Sequence, residues 1–408
     1  MSILNRFISY RNIQTILLIL VSILFLYFGL TSLLKRISWC DGYALGDWLI
    51  TYEDGGFKRR GLSGYILIFL SRFSGIYVSK ILFGFLCIVY ILFVYLFIDL
   101  FRKIKWDFSF LLLFMLPTTF FFSIHDFYVF GRKEILFFLL ILFFVWSYNK
   151  KNIYSWKYIS FLSISLFFLT LLHELVVFFT SYFLFVYLVD FLSKRKGSLF
   201  KIFVLGCSTF VPAFIIFLFG VEINEGKSWE IFKNLGVGPN VMKGILSWPK
   251  EGFGQGKINA LEFAKEHNYE RYLISYLITM LSIVYLIIRN IKIPLDSIKL
   301  ILCLLLFQLV SFPIFFLTID WGRWLNLHFI SILFFSLIYL KSNENFKITL
   351  KEIFEMLKKP IVLIKVFFII VLMFGFSMEH VEEGFVLGQN KLLLNIRDLF
   401  WQLRNFRF

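Results

Sequence analysis

Long apolar segments separated by short polar stretches fill most of the chain. Eleven of them are predicted membrane-spanning helices, because a helix of roughly 20 apolar residues crosses the hydrocarbon core of a bilayer. They occupy residues 13–34, 76–101, 108–124, 135–148, 158–172, 175–192, 202–220, 272–288, 300–318, 324–340 and 361–376. A shorter apolar segment, 62–70, is predicted to form an interfacial or re-entrant helix. The pattern predicts an all-α fold, a polytopic membrane helix bundle with one large extracytoplasmic loop at 221–271.

The composition agrees with a membrane protein. Hydrophobic residues make up 59% of the chain, the mean hydropathy is +0.81, and 57 of the 408 residues are phenylalanine. A soluble domain has no use for that much apolar surface. We predict one membrane domain at residues 1–377, followed by an extracytoplasmic amphipathic tail at 378–408.

The basic residues predict the orientation of the chain. With the N-terminus in the cytoplasm, the short inner loops carry a large excess of Lys and Arg, whereas the outer loops are nearly balanced. Basic loops of membrane proteins stay in the cytoplasm. The formal net charge of +16 is therefore explained by membrane topology, and nucleic acid is not a predicted partner.

The first outer loop, 40–64, carries acidic residues followed by basic ones. The charged side chains are Asp41, Asp47, Glu53, Asp54, Lys58, Arg59 and Arg60. Arg59 and Arg60 directly precede the predicted helix at 62–70, and a helix N-terminus beside two guanidinium groups favours an anion. The alternative is a solvated interfacial loop without a ligand.

A second polar group contains His125 and Asp126, followed by Arg132 and Lys133 at the start of the predicted span 135–148. Cations at a helix N-terminus oppose the helix dipole, so their position is unfavourable unless an anion binds there. The arrangement therefore indicates a second anion-binding element on the outer face.

The third polar group is His173 and Glu174, which lie between two apolar runs without turn residues around them. The run across them is compatible with one continuous helix. A carboxylate so close to hydrocarbon needs a partner or a raised pKa. Glu174 is therefore either paired with His173 or available as a general base.

The fourth group places Asp320 and Arg323 three residues apart, with Trp321 and Trp324 beside them. One interpretation is an aromatic-belt anchor with a local ion pair. The other is a site in which tryptophan faces stack on sugar rings, Arg323 binds phosphate, and Asp320 orients Arg323 or a hydroxyl group.

All four groups lie on the predicted outer face, which indicates a ligand with a phosphate at headgroup level and a polar body outside. A lipid-linked sugar has this form, and glycosyl transfer from a polyprenyl phosphate or pyrophosphate is the predicted reaction. The candidate catalytic residues are Asp47, Asp54, Asp126, Glu174 and Asp320. The candidate phosphate-binding residues are Arg59, Arg60, Arg132, Lys133 and Arg323, and the candidate sugar-binding residues are His173, Trp321 and Trp324. No metal ligand set is predicted, although a divalent cation stays an open alternative.

The chain resembles the bacterial O-antigen or capsule repeat-unit polymerases in length, composition, topology and arginine-bearing outer motifs. Those motifs are residues 56–61, 131–134 and 320–323. The resemblance implies undecaprenyl-pyrophosphate-linked glycans as substrates and outward-facing arginines as site residues. It also implies the bacterial inner membrane as location, a site that faces the periplasm, and a chain-length regulator and a flippase as partners.

The acidic first loop is also similar to that of the GT-C class of membrane glycosyltransferases. In that class an acidic residue of this loop is the base and an interfacial helix follows, which Asp47 or Asp54 and the segment 62–70 match. This second hypothesis uses a polyprenyl-monophosphate sugar donor. A third hypothesis is a lipid-linked oligosaccharide flippase, which the low charge within the predicted spans disfavours.

Overall fold

The computed structural model describes residues 8–104, 106–150, 153–193, 198–243, 262, 266, 270–290, 297–317, 319–340, 347–348, 358–378 and 386–387. Most of the predicted tail at 378–408 lies outside the described residues. So does the glycine-rich part of the predicted outer loop, 244–261.

The described residues are predominantly helical, which confirms the all-α class. The helices are α1 (Tyr10–Ser38), α2 (Asp47–Leu49), α3 (Gly61–Ser74), α4 (Val78–Phe101), α5 (Phe108–Met115), α6 (Phe122–His125), α7 (Glu134–Asn149), α8 (Trp156–Leu172), α9 (Val176–Phe179), α10 (Ser181–Leu192), α11 (Leu199–Phe219), α12 (Glu225–Asn234), α13 (Glu270–Asn290), α14 (Ser297–Leu309), α15 (Ile314–Leu317), α16 (Trp321–Ser336) and α17 (Pro360–Gly375). Two antiparallel strand pairs complete the fold. They join β1 (Ile8–Ser9) to β2 (Lys347–Ile348) and β3 (Phe376–Ser377) to β4 (Val386–Leu387).

Among the described residues, four helices are long and apolar enough to cross a membrane. They are Gln14–Ser38, Val78–Phe101, Leu199–Phe219 and Glu270–Arg289. Their outward surfaces carry large apolar side chains, among them Ile88 of α4, Phe210 of α11 and Leu281 of α13. Such surfaces need a lipid environment, so the chain is a membrane protein.

Three predicted spans are each divided into two helices. The segment 108–124 breaks after Met115, because Pro117 forces Leu116 into an extended conformation with ψ 140°. The segment 300–318 breaks before α15, next to Pro313. The segment 175–192 divides at Thr180, whose hydroxyl group donates a hydrogen bond to the carbonyl oxygen of Val176.

The short apolar segment after the first loop forms α3, as predicted, although it extends to Ser74. Its length is about 21 Å at 1.5 Å per residue, which is too short to cross a bilayer. One face packs inward through Gly64, Leu67 and Ile68, while Phe69 and Phe73 are exposed on the other face. This distribution is typical of a helix that lies at the membrane surface.

Aromatic rings fill much of the core between α1, α4, α5 and α7. The rings of Tyr90 and Phe130 stack at a centroid distance of 4.1 Å, and those of Phe97 and Phe120 at 4.5 Å. Stacked and edge-on rings add to the apolar burial that holds these helices together. The abundant phenylalanine is therefore used both inside the protein and on its lipid-facing surface.

The polar groups singled out in the sequence lie at one end of the helices, which we name the charged end. Here α1 and α8 end and α3, α4, α7 and α16 begin. The strand pair β1–β2 precedes α1 and therefore lies at the opposite end.

Close packing of α3 on the first loop depends on Gly64. A Cβ atom at this position would lie 2.2 Å from the carbonyl oxygen of Ile50 and 2.4 Å from that of Leu49. We expect Gly64→Ala to destabilise the protein by about 1–3 kcal/mol through overpacking. Thermal unfolding in detergent micelles measures the effect. Gly84→Ala in α4 is the matched control, because no atom lies within 4 Å of its Cβ position, and it is expected to be neutral or stabilising.

Candidate functional site

Arg36, at the end of α1, holds two loops of the charged end together. Its Nε atom lies 3.1 Å from Oδ2 of Asp41. Its Nη1 donates hydrogen bonds to the carbonyl oxygens of Tyr128 and Phe130 at 3.1 and 3.3 Å. Asp41 in turn caps the π-helical turn Gly42–Gly46 by accepting from backbone N–H groups. The first loop and the loop before α7 are thereby fixed to each other.

Gly131 sets the direction in which α7 begins. It has a φ of +84°, which glycine adopts without strain. Its N–H donates to the hydroxyl oxygen of Tyr90, and its carbonyl oxygen accepts from Nε1 of Trp48, both at 2.8 Å. Because both backbone groups are bound, the next two residues, Arg132 and Lys133, are carried into the protein at the start of α7.

These constraints bring ten charged or titratable side chains together, which we name the charged cluster. Its members are Asp47, Arg59, Arg60, Arg132, Lys133, Glu134, His173, Glu174, Asp320 and Arg323, as their ion pairs and electrostatic contacts connect them. All five predicted phosphate-binding residues are members. Three of the five candidate catalytic residues belong to it as well: Asp47, Glu174 and Asp320.

Arg60 lies at the centre of the cluster. Its Nη1 donates to Asp47 at 3.0 Å, and its Nε and Nη2 donate to the two oxygens of Glu174 at 3.0 and 2.9 Å. The side chain is only 9% exposed. Arg60 caps α3 in a left-handed conformation with φ 64°. Two carboxylates already neutralise this guanidinium group, so the structure gives Arg60 a structural position rather than the free phosphate-binding one that the sequence predicted.

Asp47 and Glu174 are ionised despite their burial. Burial raises the pKa of each, but the charges of Lys133 and Arg60 bring the pKa of Asp47 far below its ordinary value. The charges of Arg60 and Arg59 outweigh burial in the same way and hold the pKa of Glu174 well below its usual range. Both carboxylates therefore act as fixed negative charges in the cluster.

Lys133 and His173 are buried donors beside these carboxylates. The Nζ atom of Lys133 lies 3.7 Å from Oδ1 of Asp47 and 5.6 Å from the ring centroid of Trp48. It has no hydrogen-bond partner among the described residues. Burial, partly opposed by Asp47, lowers the pKa of Lys133 to about 8. Burial and the charge of Arg60 lower the pKa of His173 to about 3, so that its imidazole is neutral.

Glu134 joins His173 to the fourth polar group. Its Oε1 lies 3.3 Å from Nε of Arg323 and 3.7 Å from Nε2 of His173. Arg323 also pairs with Asp320 at 2.6 Å, which confirms the ion pair predicted for that motif. The helix break at His173, whose backbone is extended, makes this contact available. The alternative of a continuous helix across residues 173 and 174 is therefore wrong.

Two arginines of the cluster lack a close ion pair. Arg132 is buried, contacts the ring of Tyr43 at 5.2 Å, and donates from Nε to the carbonyl oxygen of Tyr128 at 3.4 Å. It makes no ion pair with any carboxylate in the described part of the chain, and Asp320, Asp47 and Glu134 act on it at longer range. Burial and the nearby guanidinium group of Arg323 lower the pKa of Arg132 from its ordinary value. Arg59 makes one loose contact, 3.5 Å from Glu174, and exposes 47% of its side chain.

Several candidates lie elsewhere or face inward. Asp54 pairs with Lys58 at 3.2 Å and accepts from the hydroxyl group of Ser228 at 2.8 Å, so it ties the first loop to α12. Asp126 is buried and accepts from the N–H of Tyr128, which makes it a turn residue. These contacts place neither carboxylate with the charged cluster.

Trp321 and Trp324 pack against neighbouring side chains. Trp324 is buried beneath the guanidinium group of Arg323, 4.4 Å from its ring centroid. Trp321 is half-buried against Tyr272 and Phe315. Trp324 therefore has no free face for a sugar ring in this conformation, contrary to the sequence-based expectation. His173, the third candidate sugar-binding residue, contacts Glu134.

Two cavities meet at Glu134. The larger leaves about 40 Å³ of space for water-sized atoms and extends from Glu134 and Arg323 between α1, α4, α7 and α16. Five aromatic rings line it, those of Phe25, Tyr90, Phe93, Phe120 and Phe138. The smaller, with about 20 Å³, is lined by Lys133, Glu134 and His173 on its polar side.

No group of three His, Cys, Asp or Glu side chains within the described ranges could hold a metal ion. The carboxylates of the cluster face cations instead. The candidate residues predicted from the sequence did not include Arg36, which holds the loops beside the cluster, or Glu134, which belongs to it. A carboxylate at a helix start in an apolar run was a usable signal for Glu134.

Comparison of the chain with protein-family models, with curated proteins and with solved structures finds no match. The fold and the site therefore define the class by themselves. The chain is a membrane protein that holds a buried cluster of acids and bases at one end of its helices.

Replacing Arg60 with alanine is expected to destabilise the protein by about 3–5 kcal/mol, because Asp47 and Glu174 would stay buried without their main partner. Arg59→Ala removes a guanidinium group that is half-exposed, and a change of only about 0–1 kcal/mol is expected. Unfolding of both variants in detergent, followed by tryptophan fluorescence, provides the comparison. Equal stability of the Arg60 and Arg59 variants would contradict the central position of Arg60.

Proposed function

We propose that this protein is a membrane glycosyltransferase that joins lipid-linked oligosaccharide repeat units, as an O-antigen or capsule polymerase does. It crosses the bacterial inner membrane about eleven times with its N-terminus in the cytoplasm, and the charged end faces the periplasm. Undecaprenyl-pyrophosphate-linked glycans are the substrates. The pairing of β1 with β2 supports this topology, because both strands fall on segments that the sequence assigns to the cytoplasm.

The observation that carries the proposal is Arg132. A buried guanidinium group that has no carboxylate at ion-pair distance among the described residues and lies close to the like charge of Arg323 is costly in the free protein. A bound anion removes that cost. Phosphate oxygens match guanidinium groups in geometry as well as charge, so a phosphate group is the expected ligand.

The position of the anion gives the cations a role in the reaction. When a glycosidic bond to phosphate breaks, negative charge develops on the phosphate oxygen that leaves. Fixed cations near that oxygen stabilise the transition state without reorganising. Arg132, Lys133 and Arg323 are the fixed cations, while the half-exposed Arg59 is placed to receive a phosphate that arrives from outside.

One observation favours a second function, that of a GT-C glycosyltransferase with a polyprenyl-monophosphate donor. Asp47 of the first loop belongs to the charged cluster, and the surface helix α3 follows directly in the chain. This is the order of elements that the GT-C class uses. Oδ1 of Asp47 is already paired with Arg60 and Lys133, however, which weakens Asp47 as a base in this conformation.

Arg132→Ala is expected to abolish binding of inorganic pyrophosphate to the purified protein and to leave its unfolding temperature nearly unchanged. The variant loses no ion pair, and relief of the repulsion from Arg323 offsets the lost contacts to Tyr128 and Tyr43. Isothermal titration and thermal shift in detergent measure the two effects. Arg72→Ala is the matched control, since it removes an exposed guanidinium group paired with Glu53. Unaltered pyrophosphate binding by the Arg132 variant would remove the phosphate site.

Deletion of the gene in its native host distinguishes the functions. A polymerase is expected to leave surface glycans that carry a single repeat unit. Loss of a GT-C enzyme would remove one side sugar from every unit, and loss of a flippase would leave lipid-linked repeats inside the cell. Gel electrophoresis and mass spectrometry of the surface polysaccharide give the answer, and long chains of normal composition would contradict all three.

A further inference from the structure

We propose that Glu134 is the general base of the transfer and that the reacting hydroxyl group of the acceptor sugar reaches its carboxylate through the larger of the two small cavities beside it. The inference rests on the proposed function, because it names the acceptor subsite and the proton acceptor of that same site. Glu134 is not one of the candidate catalytic residues predicted from the sequence.

Hydrogen bonding distinguishes Glu134 from the other carboxylates of the cluster. Neither of its side-chain oxygens has a hydrogen-bond partner in the described part of the structure, although both are shielded from solvent. Asp47 and Glu174, by contrast, accept from Arg60. Its contacts to Arg323 and His173 both go to Oε1 and are ion-pair contacts without hydrogen-bond geometry. Buried polar atoms are normally satisfied, so a carboxylate in this state indicates a place for a donor that arrives with a ligand.

Two neighbours of Glu134 also have polar atoms that a ligand could contact. Nζ of Lys133, only 1% exposed as a side chain, lacks a hydrogen-bond partner among the described residues and lines the smaller cavity. The N–H of Leu175 donates to Nδ1 of His173 at 3.4 Å, so the proton of the neutral ring is on Nε2, which faces Glu134. A ligand between these groups finds donors and an acceptor together.

The larger cavity has room for a hydroxyl group at its polar end. That end combines Glu134 and Arg323 with Ser123 and Asn326, and the other walls are aromatic. Arg323 keeps Glu134 ionised through a contact of 3.3 Å, so the carboxylate is in the form that accepts a proton.

The step balances without a further reactant. The acceptor O–H bond breaks and its proton moves to Glu134. The acceptor oxygen forms a bond to the anomeric carbon of the donor, and the bond from that carbon to the phosphate oxygen breaks. The electron pair leaves with the phosphate, which Arg132 and its neighbours hold. Glu134 then releases its proton to water.

The test compares Glu134→Gln with wild type in two measurements. Glycan chain extension in membranes of the native host is expected to fall by about 100-fold or more, which is the usual contribution of a general base. Binding of inorganic pyrophosphate to the purified variant is expected to stay within about 3-fold, because the amide keeps the shape of the carboxylate, no cation is removed, and Arg323 keeps its pair with Asp320. Glu53→Gln in the surface pair with Arg72 is the matched control and is expected to behave as wild type.

Glu134→Asp decides the case in which the glutamine variant does not fold. The aspartate keeps the charge beside Arg323 but withdraws the carboxylate by one methylene, so extension is expected to drop at least 10-fold with unaltered pyrophosphate binding. Normal extension by either folded variant overturns the assignment of Glu134 and leaves the proposed function standing. Absence of pyrophosphate binding or of extension in the wild type overturns the proposed function itself.

Discussion

The buried guanidinium group of Arg60 is the interaction on which the charged end depends. It binds Asp47 of the first loop and both oxygens of Glu174 from the turn after α8, at 2.9–3.0 Å. Removing such charges from water costs several kcal/mol for each ion, and only close pairing with good geometry compensates for it. The left-handed conformation of Arg60 at the start of α3 is retained because these contacts hold it.

The other cations of the charged end differ in how closely they are paired. Lys58 and Arg36 each pair with a nearby carboxylate and donate to backbone carbonyl groups of other segments, so they hold loops in place. Arg132 donates only within its own loop, to the carbonyl oxygen of Tyr128, and Arg59 makes one loose contact with Glu174. If every cation were closely paired, the cluster would have a structural role alone. In this cluster, two guanidinium groups lack a close ion pair. That difference is the physical basis for assigning a ligand to it.

The sequence predicted the helical class, the surface helix α3 and the meeting of all four polar groups at one end, because apolar length and the distribution of basic residues depend on the membrane alone. It could not predict the pairing within the cluster. Arg60 and Glu174 are 114 residues apart, and their contact depends on the packing of α3 against α8. The burial of Trp324 and the lack of hydrogen bonds to the carboxylate of Glu134 likewise follow from how α7 and α16 pack. The spacing of apolar residues along the chain does not encode that packing.

The surroundings of Arg59 connect the cluster to the bilayer. Arg59 lies immediately before α3, whose outward side chains, including Phe69 and Phe73, form an exposed apolar surface at the charged end. A water-soluble nucleotide sugar gains nothing from such a surface. A phosphate attached to a polyprenyl chain can keep the chain in the lipid along α3 while its charge reaches Arg59 and then Arg132. The exposed apolar surface of α3 and the buried Arg132 without a close ion pair are each unfavourable alone. A ligand of that kind covers the first and pairs with the second.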